Sequence, residues 1–260
     1  MPDNKKYLEN VSLLITHYNR SKSLERLLAA FDDLGISFYD VIVSDDGSKA
    51  EHIEYIKSLA SQYKFTLVTA AKNGGLGNNI NKGQDAVKTT YTLYIQEDFI
   101  PLKDFLPHFL DGLSIMEHDE QTDIVRFYAY EKYPNLKGFK NGFSELVYNP
   151  WSLNVGKSTI YSDHPHLKRN TFFGKFGRYT EMKNPEETEY DMMMSFIKNK
   201  GKAYIYKEYK TLLAQANTTD EPSTMTRNYW RNSKFFLISF ARFVFRHFKF
   251  SYRYLLHKNN

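Results

Sequence analysis

Carboxylates follow directly after an apolar run in the stretch YTLYIQEDFIP, residues 91–101. The run ends at Gln96, Glu97 and Asp98. A strand buried on both faces cannot hold an unpaired carboxylate, so these acids must lie beyond its end, where water or a cation solvates them. Their oxygens suit Mg²⁺ or Mn²⁺, which keep several waters and share the remaining positions with substrate phosphates. Taken alone, the stretch fits a solvated acidic turn equally well.

Two other segments carry groups that suit a nucleotide. VIVSDDGS ends in Asp45 and Asp46, whose carboxylates could accept hydrogen bonds from a base N–H and from ribose hydroxyls. KNGGLGNNINKG places glycines at the entry to a helix, where backbone N–H groups and Lys72 or Lys82 could meet a phosphate. Turns and helix caps explain both segments without any ligand, since Gly-rich and Asp-containing turns are common.

The composition indicates a globular chain with a limited catalytic repertoire. With 260 residues, 42% of them hydrophobic, the chain can build a sizeable core. It has no cysteine, which excludes disulfides, thiolate nucleophiles and cysteine-based zinc sites and fits a reducing cytoplasm. We expect no secretion, because residues 1–10 are polar and lack the apolar region of a signal peptide.

The elements that must position these acids follow a regular alternation. The pattern predicts strands at 11–16, 41–44, 65–69 and 91–95 and helices at 24–34, 51–62 and 76–88. Ser23 is expected to cap the first helix and Gly35 to end it. Strands that alternate with helices of this length predict an α/β fold, with a mostly parallel sheet and helices on both faces.

Polar residues stand at all four predicted strand ends. In a sheet of this kind, ligands bind beyond the carboxyl ends of the strands, so we expect these residues to converge on one site. The candidates are Thr16, Tyr18 and Asn19, then Asp45 and Asp46, then Lys72 and Gly75, and finally Gln96, Glu97 and Asp98. The second half of the chain is less regular, with a strand-like segment at 124–130, a polar loop at 131–144 and a helix near 188–199.

In order and spacing, these segments together with VSLLITHYNRSKSLERLLAAF resemble the N-terminal half of family 2 glycosyltransferases, which have the GT-A fold. The resemblance is clear over residues 11 to about 104 and weaker over 184–206. It implies a Rossmann-like sheet, a nucleotide-sugar donor, most simply a UDP-sugar, and Mn²⁺ or Mg²⁺ as cofactor. It also implies a hydroxyl-bearing glycan or lipid-linked acceptor.

The resemblance assigns roles to the strand-end residues. Asp45 and Asp46 match the acids that contact uracil or ribose, and Asp98 matches the metal ligand. The remaining implied donor contacts are Thr16, Tyr18, Asn19, Lys72, Gly75, Asn81, Lys82, Gln96 and Glu97. The sequence departs from the family at Gln96, where an acid is usual, and at Ile80, where many members have arginine. Metal affinity would then depend on Asp98 and the diphosphate, and diphosphate contacts would shift to Lys72 or Lys82.

A catalytic base is implied by PEETEYDMMMSFIKNKGKAYIYK, which resembles the acidic acceptor motif of the family. Glu189 aligns best with that base and Asp191 second best. An inverting transferase needs such a carboxylate to take the proton of the acceptor hydroxyl as its oxygen attacks the anomeric carbon. Acids in the first turn of a helix can instead simply complement its dipole.

Two other features are ambiguous in the sequence. YSDHPHLKRN holds Asp163, His164 and His166, which could border the acceptor pocket, bind a metal through the two histidines, or form a surface turn. Trp151 could stack on a sugar ring, although a tryptophan more often belongs to the core.

The C-terminal tail is basic and aromatic. Residues 227–260 hold eight basic residues, eleven aromatic residues and no acid. As a helix, the tail would gather seven of its basic residues within roughly 120°, beside Phe236, Phe240 and Phe243. Such a stripe suits an anionic membrane surface, but packing on the domain fits equally well, and the aromatic alternation over 248–254 fits a strand. Since all 30 acids lie before the tail, we expect no nucleic-acid partner.

The sequence therefore predicts an inverting, metal-dependent glycosyltransferase, acting at the cytoplasmic face of a membrane in bacterial surface polysaccharide synthesis. Its expected parts are a domain at 1–226, divided into a nucleotide-sugar half at 1–104 and an acceptor half at 105–226, and a tail at 227–260. The alternatives are a nucleotidyltransferase, and an inactive, membrane-attached protein that binds nucleotide-sugars.

Overall fold

The computed structural model describes residues 5–182, 184–217, 221 and 236–256, with the backbone alone at 155 and 236–243. The strands are β1 Lys6–His17, β2 Ile36–Asp45, β3 Thr66–Thr69, β4 Tyr91–Gln96, β5 Phe99–Pro101, β6 Ile124–Arg126, β7 Leu136–Gly138, β8 Phe143–Leu146, β9 His166–Arg169, β10 Ala203–Tyr206 and β11 Leu213–Gln215. The helices are α1 Ser21–Asp33, α2 Ala50–Tyr63, α3 Leu76–Asp85, α4 Phe105–His118, α5 Phe172–Phe176, α6 Pro185–Lys198 and α7 Phe236–Leu256. Short 3-10 helices lie at Val155–Thr159 and Tyr209–Thr211.

The first four strands form the parallel sheet that the sequence predicts. Their order is β3-β2-β1-β4, and every neighbouring pair is parallel. Thr16 near the end of β1 lies opposite Ser44 on one side and Gln96 on the other, and His17 lies opposite Asp45. The register therefore brings the carboxyl ends of β1, β2 and β4 to one level.

The sheet continues through a strand that runs the other way. β9 lies between β4 and β6 and is antiparallel to both, so that His166 pairs with Tyr94 and with Arg126. β10, β8 and β7 follow beyond β6 and complete nine strands. Separately, β5 pairs with β11, which places Gln215 opposite Phe99. The segment after β4 is thereby tied to the C-terminal part of the chain.

Both faces of the sheet are covered, which explains why its central strands are apolar without alternation. Leu24 of α1 and Phe105 of α4 belong to the core on one face. Ile80 of α3 and Met193 of α6 belong to the core on the other. Each face thus has its own buried cluster, and the polar strand ends emerge between the two helical layers.

Three local predictions differ from the structure. Ser23 does not cap α1, which begins at Ser21; its backbone N–H and hydroxyl instead bind the Glu221 carboxylate, at 2.8 and 2.6 Å. The polar loop predicted at 131–144 contains β7 and the start of β8. The sequence pattern did not reveal α4, which contains Pro107 in its first turn, where a missing N–H costs nothing.

The tail forms a helix over α7, so the helical interpretation is confirmed there and the strand over 248–254 was wrong. Arg227, Arg231, Lys234 and Lys258 lie outside the described residues. α7 packs against α6 and against the 3-10 helix at Val155–Thr159. Within the described part of the chain, no helix has the length and apolar character needed to cross a membrane.

Candidate active site

Asp45, at the end of β2, is saturated with hydrogen bonds. Its Oδ1 accepts from Nδ1 of His17 at 2.8 Å and from the Ser48 hydroxyl at 2.5 Å, and its Oδ2 accepts the backbone N–H groups of Gly47 and Ser48, both at 3.0 Å. Because Nε2 of His17 accepts the N–H of Arg20, the ring proton lies on Nδ1. Burial raises the pKa of Asp45, but these hydrogen bonds outweigh it and the net pKa is lowered.

Asp46 holds the glycine-rich loop that leads into α3. Its two oxygens accept the backbone N–H groups of Gly74 at 2.9 Å and Gly75 at 3.0 Å. Burial outweighs these bonds, so the pKa of Asp46 is raised. Gly47 has a φ of +72°, and a Cβ there would lie 2.5 Å from the backbone carbon of Lys72. Glycine at that position lets the loops after β2 and β3 touch.

The other predicted donor residues of the first half lie around the same strand ends. Lys82 donates to the Ser44 hydroxyl at 2.7 Å and to the Asn79 side chain, and burial lowers its pKa to about 8. Lys72 is exposed, and Tyr18 is half-buried. Lys82 is therefore a partly buried cation beside the two aspartates.

Three predicted residues act locally as connectors. The Thr16 hydroxyl lies 3.2 Å from the Tyr94 hydroxyl. Asn19 accepts the N–H of Lys49 at 2.8 Å and fixes the turn after β2. Asn81 exchanges hydrogen bonds with the backbone of Tyr179 at 2.9 and 3.0 Å, and so joins α3 to the second half of the chain.

Asp98 differs from these residues because one of its oxygens has no partner. Its Oδ2 accepts from Nε2 of Gln215 at 2.8 Å and lies 3.3 Å from Nη1 of Arg20. Its Oδ1 is buried and has no hydrogen bond. The N–H of Ala216 donates to the backbone carbonyl of Asp98 at 2.8 Å, so the residue is held firmly while an oxygen remains available.

The neighbours of Asp98 differ in charge. Burial raises the pKa of Glu97 to about 8, and the charge of Asp98 adds to this while Arg20 opposes it. Glu97 Oε1 lies 3.4 Å from Nη1 of Arg20. Gln96 is half-buried at the end of β4 and brings no charge. Asp98 is thus the residue of this stretch with a buried oxygen that has no hydrogen-bond partner.

Sequence reasoning missed Arg20, although it follows directly after Asn19 at a predicted strand end. Its Nη2 donates to the Asn217 side chain at 2.9 Å and to the carbonyl of Glu221 at 3.1 Å. Arg20 therefore joins the acids after β4 to the segment after β11. A charged residue following the first strand was the available signal.

A second acidic cluster lies at the start of α6. The backbone N–H of Asp163 donates to Oε1 of Glu189 at 3.3 Å. Burial, and then the charge of Asp163, raises the pKa of Glu189 well above its ordinary value. Burial raises the pKa of Asp163 to about 6, and the charge of Asp98 contributes to the rise. The three carboxylates thus belong to one electrostatic cluster, in which burial raises the pKa values of Asp163 and Glu189.

Arg126 is the cation of that cluster, and its position was not predicted. It is buried on β6 and donates to the Ser162 hydroxyl at 2.7 Å and to the carbonyl of Thr159 at 2.6 Å. Its charge lowers the pKa values of Asp163 and Glu189, in part offsetting their burial. An arginine within the apolar run IVRF was the signal in the sequence.

Asp191, the second candidate base, faces away from this cluster. It accepts a hydrogen bond from the Thr180 hydroxyl. Two residues along a helix are separated by roughly 200°, so Glu189 and Asp191 cannot face the same group. Of the two, it is Glu189 that lies beside Asp163.

The two histidines of YSDHPHLKRN do not share a metal-binding geometry. Nδ1 of His166 binds the carbonyl of His164 at 2.7 Å, and Nδ1 of His164 lies 2.8 Å from the Ser162 hydroxyl. Throughout the described ranges, no group of three or more His, Asp or Glu side chains could hold a metal by itself. Trp151 is 90% exposed, so it does not belong to the core.

Comparison with known proteins decides the family. The model of Glycosyl transferase family 2 matches residues 12–179, more than half of the chain. The chain belongs to this family. The family 2 resemblance that the motifs indicated is therefore confirmed.

Curated relatives match this family 2 chain over about half of its length. A cholesterol galactosyltransferase of Borreliella burgdorferi is 26% identical over 129 residues, 49% of this chain and 35% of the relative. A poly-beta-1,6-N-acetyl-D-glucosamine synthase of Staphylococcus aureus is 26% identical over 118 residues, 45% of this chain and 28% of the relative. The match thus spans only about a third of each relative.

Solved structures extend the likeness to most of this family 2 chain. Residues 1–349 of S. aureus TarS, in complex with UDP-GlcNAc, align with a TM-score of 0.61 at 16% identity, covering 93% of this chain and 73% of that fragment. The mannosyltransferase PcManGT of Pyrobaculum calidifontis, in complex with GDP-Man and Mn²⁺, aligns with a TM-score of 0.59 at 15% identity, covering 95% and 65%. The GT-A fold is therefore confirmed.

The residues of this family 2 chain fit a divalent cation at one position. Asp98 Oδ1 is a buried oxygen without a partner, which is what a cation would satisfy. Mg²⁺ and Mn²⁺ can rest on a single carboxylate when waters and substrate phosphates supply the other ligands. Gln96 brings no charge and Glu97 lies 3.4 Å from Arg20, so Asp98 is the best-placed protein ligand of the three.

Proposed function

We propose that this chain is an inverting glycosyltransferase that moves a sugar from a nucleotide-sugar to a hydroxyl of a glycan or lipid-linked acceptor. A UDP-sugar is the proposed donor, and Mn²⁺ or Mg²⁺ the proposed cofactor. The observation that carries the proposal is that one electrostatic cluster contains both Asp98, which has an oxygen without a hydrogen-bond partner, and the buried Glu189. A donor-side ligand and an acceptor-side base are what this reaction requires.

The first half of the chain would hold the donor. Asp45 and Asp46 organise the loops at the strand ends where a uridine would lie, and Lys82 would supply a partly buried positive charge near the phosphates. Asp98 would hold the cation, which supplies charge neutralisation for the departing nucleoside diphosphate. Arg20 sits beside Asp98 and adds a second positive charge at the same place.

The second half would hold the acceptor. Glu189 in its ionised form takes the proton of the acceptor hydroxyl while that oxygen forms the new bond to the anomeric carbon. The bond from that carbon to the diphosphate oxygen breaks, and its electron pair leaves with the nucleoside diphosphate. Arg126 and the N–H of Asp163 hold the Glu189 region in place. Attack opposite the leaving group inverts the configuration.

The proposed setting is bacterial surface polysaccharide synthesis at the cytoplasmic face of a membrane. The name of one relative, a poly-beta-1,6-N-acetyl-D-glucosamine synthase, supports the polysaccharide part of this setting. The division of the chain into donor and acceptor halves and a tail stays a prediction.

Donor hydrolysis tests the proposed function. The purified chain, incubated with Mn²⁺ and a panel of UDP- and GDP-sugars, should slowly release the nucleoside diphosphate from one of them. Glu189→Gln should leave binding of that donor intact. Release of pyrophosphate from a nucleoside triphosphate and a sugar phosphate would favour the nucleotidyltransferase. Donor binding without any hydrolysis or transfer would favour the inactive binding protein.

A further inference from the structure

The outward face of α7 carries a continuous set of large apolar side chains. The set comprises Val244, Phe245, Phe248, Tyr252, Leu255 and Leu256. At roughly 100° per residue along the helix, these six side chains span an arc of roughly 120° around its axis. Phe245 is 64% exposed, Phe248 69% and Leu255 79%. Exposed patches of this size and continuity mark contact surfaces, whereas single exposed apolar residues need no explanation.

The opposite face of α7 is anchored to the domain. Phe250 is buried, with its ring centroid 6.4 Å from that of Tyr148 and 5.3 Å from Nζ of Lys157. Lys249 and Arg253 bind the two oxygens of Glu187 on α6, at 2.6 and 2.5 Å. The helix therefore has a fixed orientation, and its apolar arc faces away from the protein.

Basic residues run along one border of the apolar arc. On the helix, Arg246, Lys249 and Arg253 fall between the exposed arc and the buried Phe250, and Arg246 is exposed. The sequence-based picture of a membrane-facing basic stripe is thus modified, because two of these residues bind Glu187. What faces outward is an apolar band with a basic edge.

A loop beside α7 adds two more exposed apolar residues. Trp151 is 90% exposed and Leu153 74%. The loop is held next to the helix, because Lys157 donates to the carbonyl of Pro150 at 2.6 Å while its Nζ lies over the ring of Phe250. Tryptophan favours the boundary between acyl chains and headgroups, where its ring is apolar and its N–H stays hydrated.

We propose that the outward arc of α7 and the loop around Trp151 form a docking surface for an anionic lipid bilayer. The apolar residues enter the acyl boundary, and the basic edge meets the headgroups. This deepens the membrane setting of the proposed function but does not depend on any catalytic residue. A second copy of this chain fits less well, because a self-complementary interface would bring the two basic edges together, and Glu187 offsets only part of the charge of Arg246, Lys249 and Arg253.

The first test is vesicle flotation. The full chain should float with vesicles of phosphatidylcholine and phosphatidylglycerol and bind pure phosphatidylcholine more weakly. Phe245→Ser combined with Phe248→Ser should lower the bound fraction at least about tenfold, since insertion into the bilayer would bury both phenylalanine side chains. The control replaces Tyr7 and Tyr39, which are similarly exposed in the first half of the chain, and should bind like wild type.

Salt separates the proposed surface from a purely electrostatic attachment. Raising the salt concentration should weaken binding but leave a residual part, because apolar insertion is not screened. Complete release of the wild type at high salt, with no effect of the phenylalanine substitutions, would overturn the proposal. All variants should unfold at the same temperature as the wild type, which would show that the surface changes leave the fold intact.

Trp151 reports directly on insertion. In a Trp230→Phe background it is the remaining tryptophan, and anionic vesicles should shift its emission to shorter wavelength and allow quenching by brominated acyl chains. An unshifted, unquenched Trp151, together with dimerisation lost in the phenylalanine variant, would assign the surface to a second copy instead. Donor hydrolysis without lipid is unchanged in these variants, so failure of the docking surface is distinguishable from failure of the proposed function.

Discussion

The molecule holds two sets of buried acids that differ in whether hydrogen bonds compensate their burial. Asp45 and Asp46 accept hydrogen bonds from side chains and backbone N–H groups on both oxygens. Asp98 keeps a buried oxygen without a partner, and Asp163 and Glu189 are buried against each other with raised pKa values. At Asp45 the hydrogen bonds outweigh the cost of burial, whereas the second set costs free energy that only a ligand or a proton can recover.

The difference separates architecture from reactivity. Every oxygen of Asp45 that a ligand could use is already occupied, so its substitution should act mainly on the loops that it organises. The acids of the second set contribute little to the fold, and their substitution should act mainly on binding and transfer. The predictions below test this separation, beginning with the largest effect.

Glu189→Gln should lower sugar transfer by roughly 10² to 10⁴, because glutamine keeps size and hydrogen bonding but cannot accept a proton. Donor affinity and unfolding free energy should stay near wild type. The measurement is the transfer rate at saturating donor, with affinity from titration calorimetry.

Asp191→Asn is the matched control, since Asp191 lies on the same helix and binds Thr180 instead. It should keep most of the activity. If Asp191→Asn loses transfer and Glu189→Gln does not, the base has been misassigned and the comparison fails.

Asp98→Asn should reduce Mn²⁺-dependent donor binding by at least about 10- to 100-fold, a loss seen even when an outer partner of a metal ligand is removed. The free energy of unfolding should not fall, because the lost carboxylate oxygen had no partner. Calorimetry with and without Mn²⁺, together with urea unfolding, measures both quantities. Unchanged donor affinity in Mn²⁺ would remove Asp98 from the site.

Asp45→Asn should behave in the opposite way and lower the free energy of unfolding by about 3 kcal/mol. One oxygen becomes an amide that can no longer accept, which leaves buried donors unpaired. Because the folded pKa of Asp45 is lowered, its stabilisation is present above its ordinary pKa of 3.8 and is lost as the pH falls through the folded value. The free energy of unfolding of the variant, measured with urea, should therefore fall less than that of the wild type as the pH is lowered.

Asp85→Asn is the control for that measurement, since Asp85 forms an exposed ion pair with Arg178 at 2.7 Å. Such pairs contribute about 1 kcal/mol or less. Equal destabilisation by the two variants would mean that the saturated hydrogen bonds of Asp45 carry no special stability.

Asp163→Asn should shift the acidic limb of the pH–activity profile to lower pH. Asp163 raises the pKa of Glu189 by charge, so its removal lets Glu189 ionise in more acidic solution. Arg126, the cation facing both groups, stays in place, and Asp98 still adds its negative charge nearby. The rate is measured from pH 4 to 8 for this variant and for Asp191→Asn, whose acidic limb should stay where it is in the wild type. If the acidic limb of Asp163→Asn does not move either, the charge of Asp163 does not influence Glu189.

The sequence predicted the parts of the fold that depend on local patterns. Apolar runs followed by polar residues located β1, β2 and β4 and the acids at their ends, because burial on both faces leaves no other place for a carboxylate. It could not predict that β9 enters the sheet antiparallel, since pairing between distant segments leaves no mark in either one. It also assigned Asp45 and Asp98 to the same kind of site, because the hydrogen bonds that distinguish them come from elsewhere in the chain.

Long-range contacts likewise explain the missed residues. Arg20 and Arg126 act through partners at Glu221 and Ser162, which no window of sequence connects with them. Ser23 looked like a helix cap because its type suits one, but the Glu221 carboxylate binds the first N–H groups of α1. The sequence signal for a cap was present at Ser23, but Glu221, which is distant in the sequence, binds these N–H groups instead.

The position of β9 has a consequence for how the chain is made. β4 is complete at Gln96, yet the strand that covers its outer edge begins at His166. As the polypeptide leaves the ribosome, the parallel half of the sheet can form while the apolar strand YTLYI still exposes a row of unpaired backbone groups. This edge closes only after Arg169 has emerged. Nascent chains that stall within this interval should be the aggregation-prone species, and holdase chaperones should engage them there.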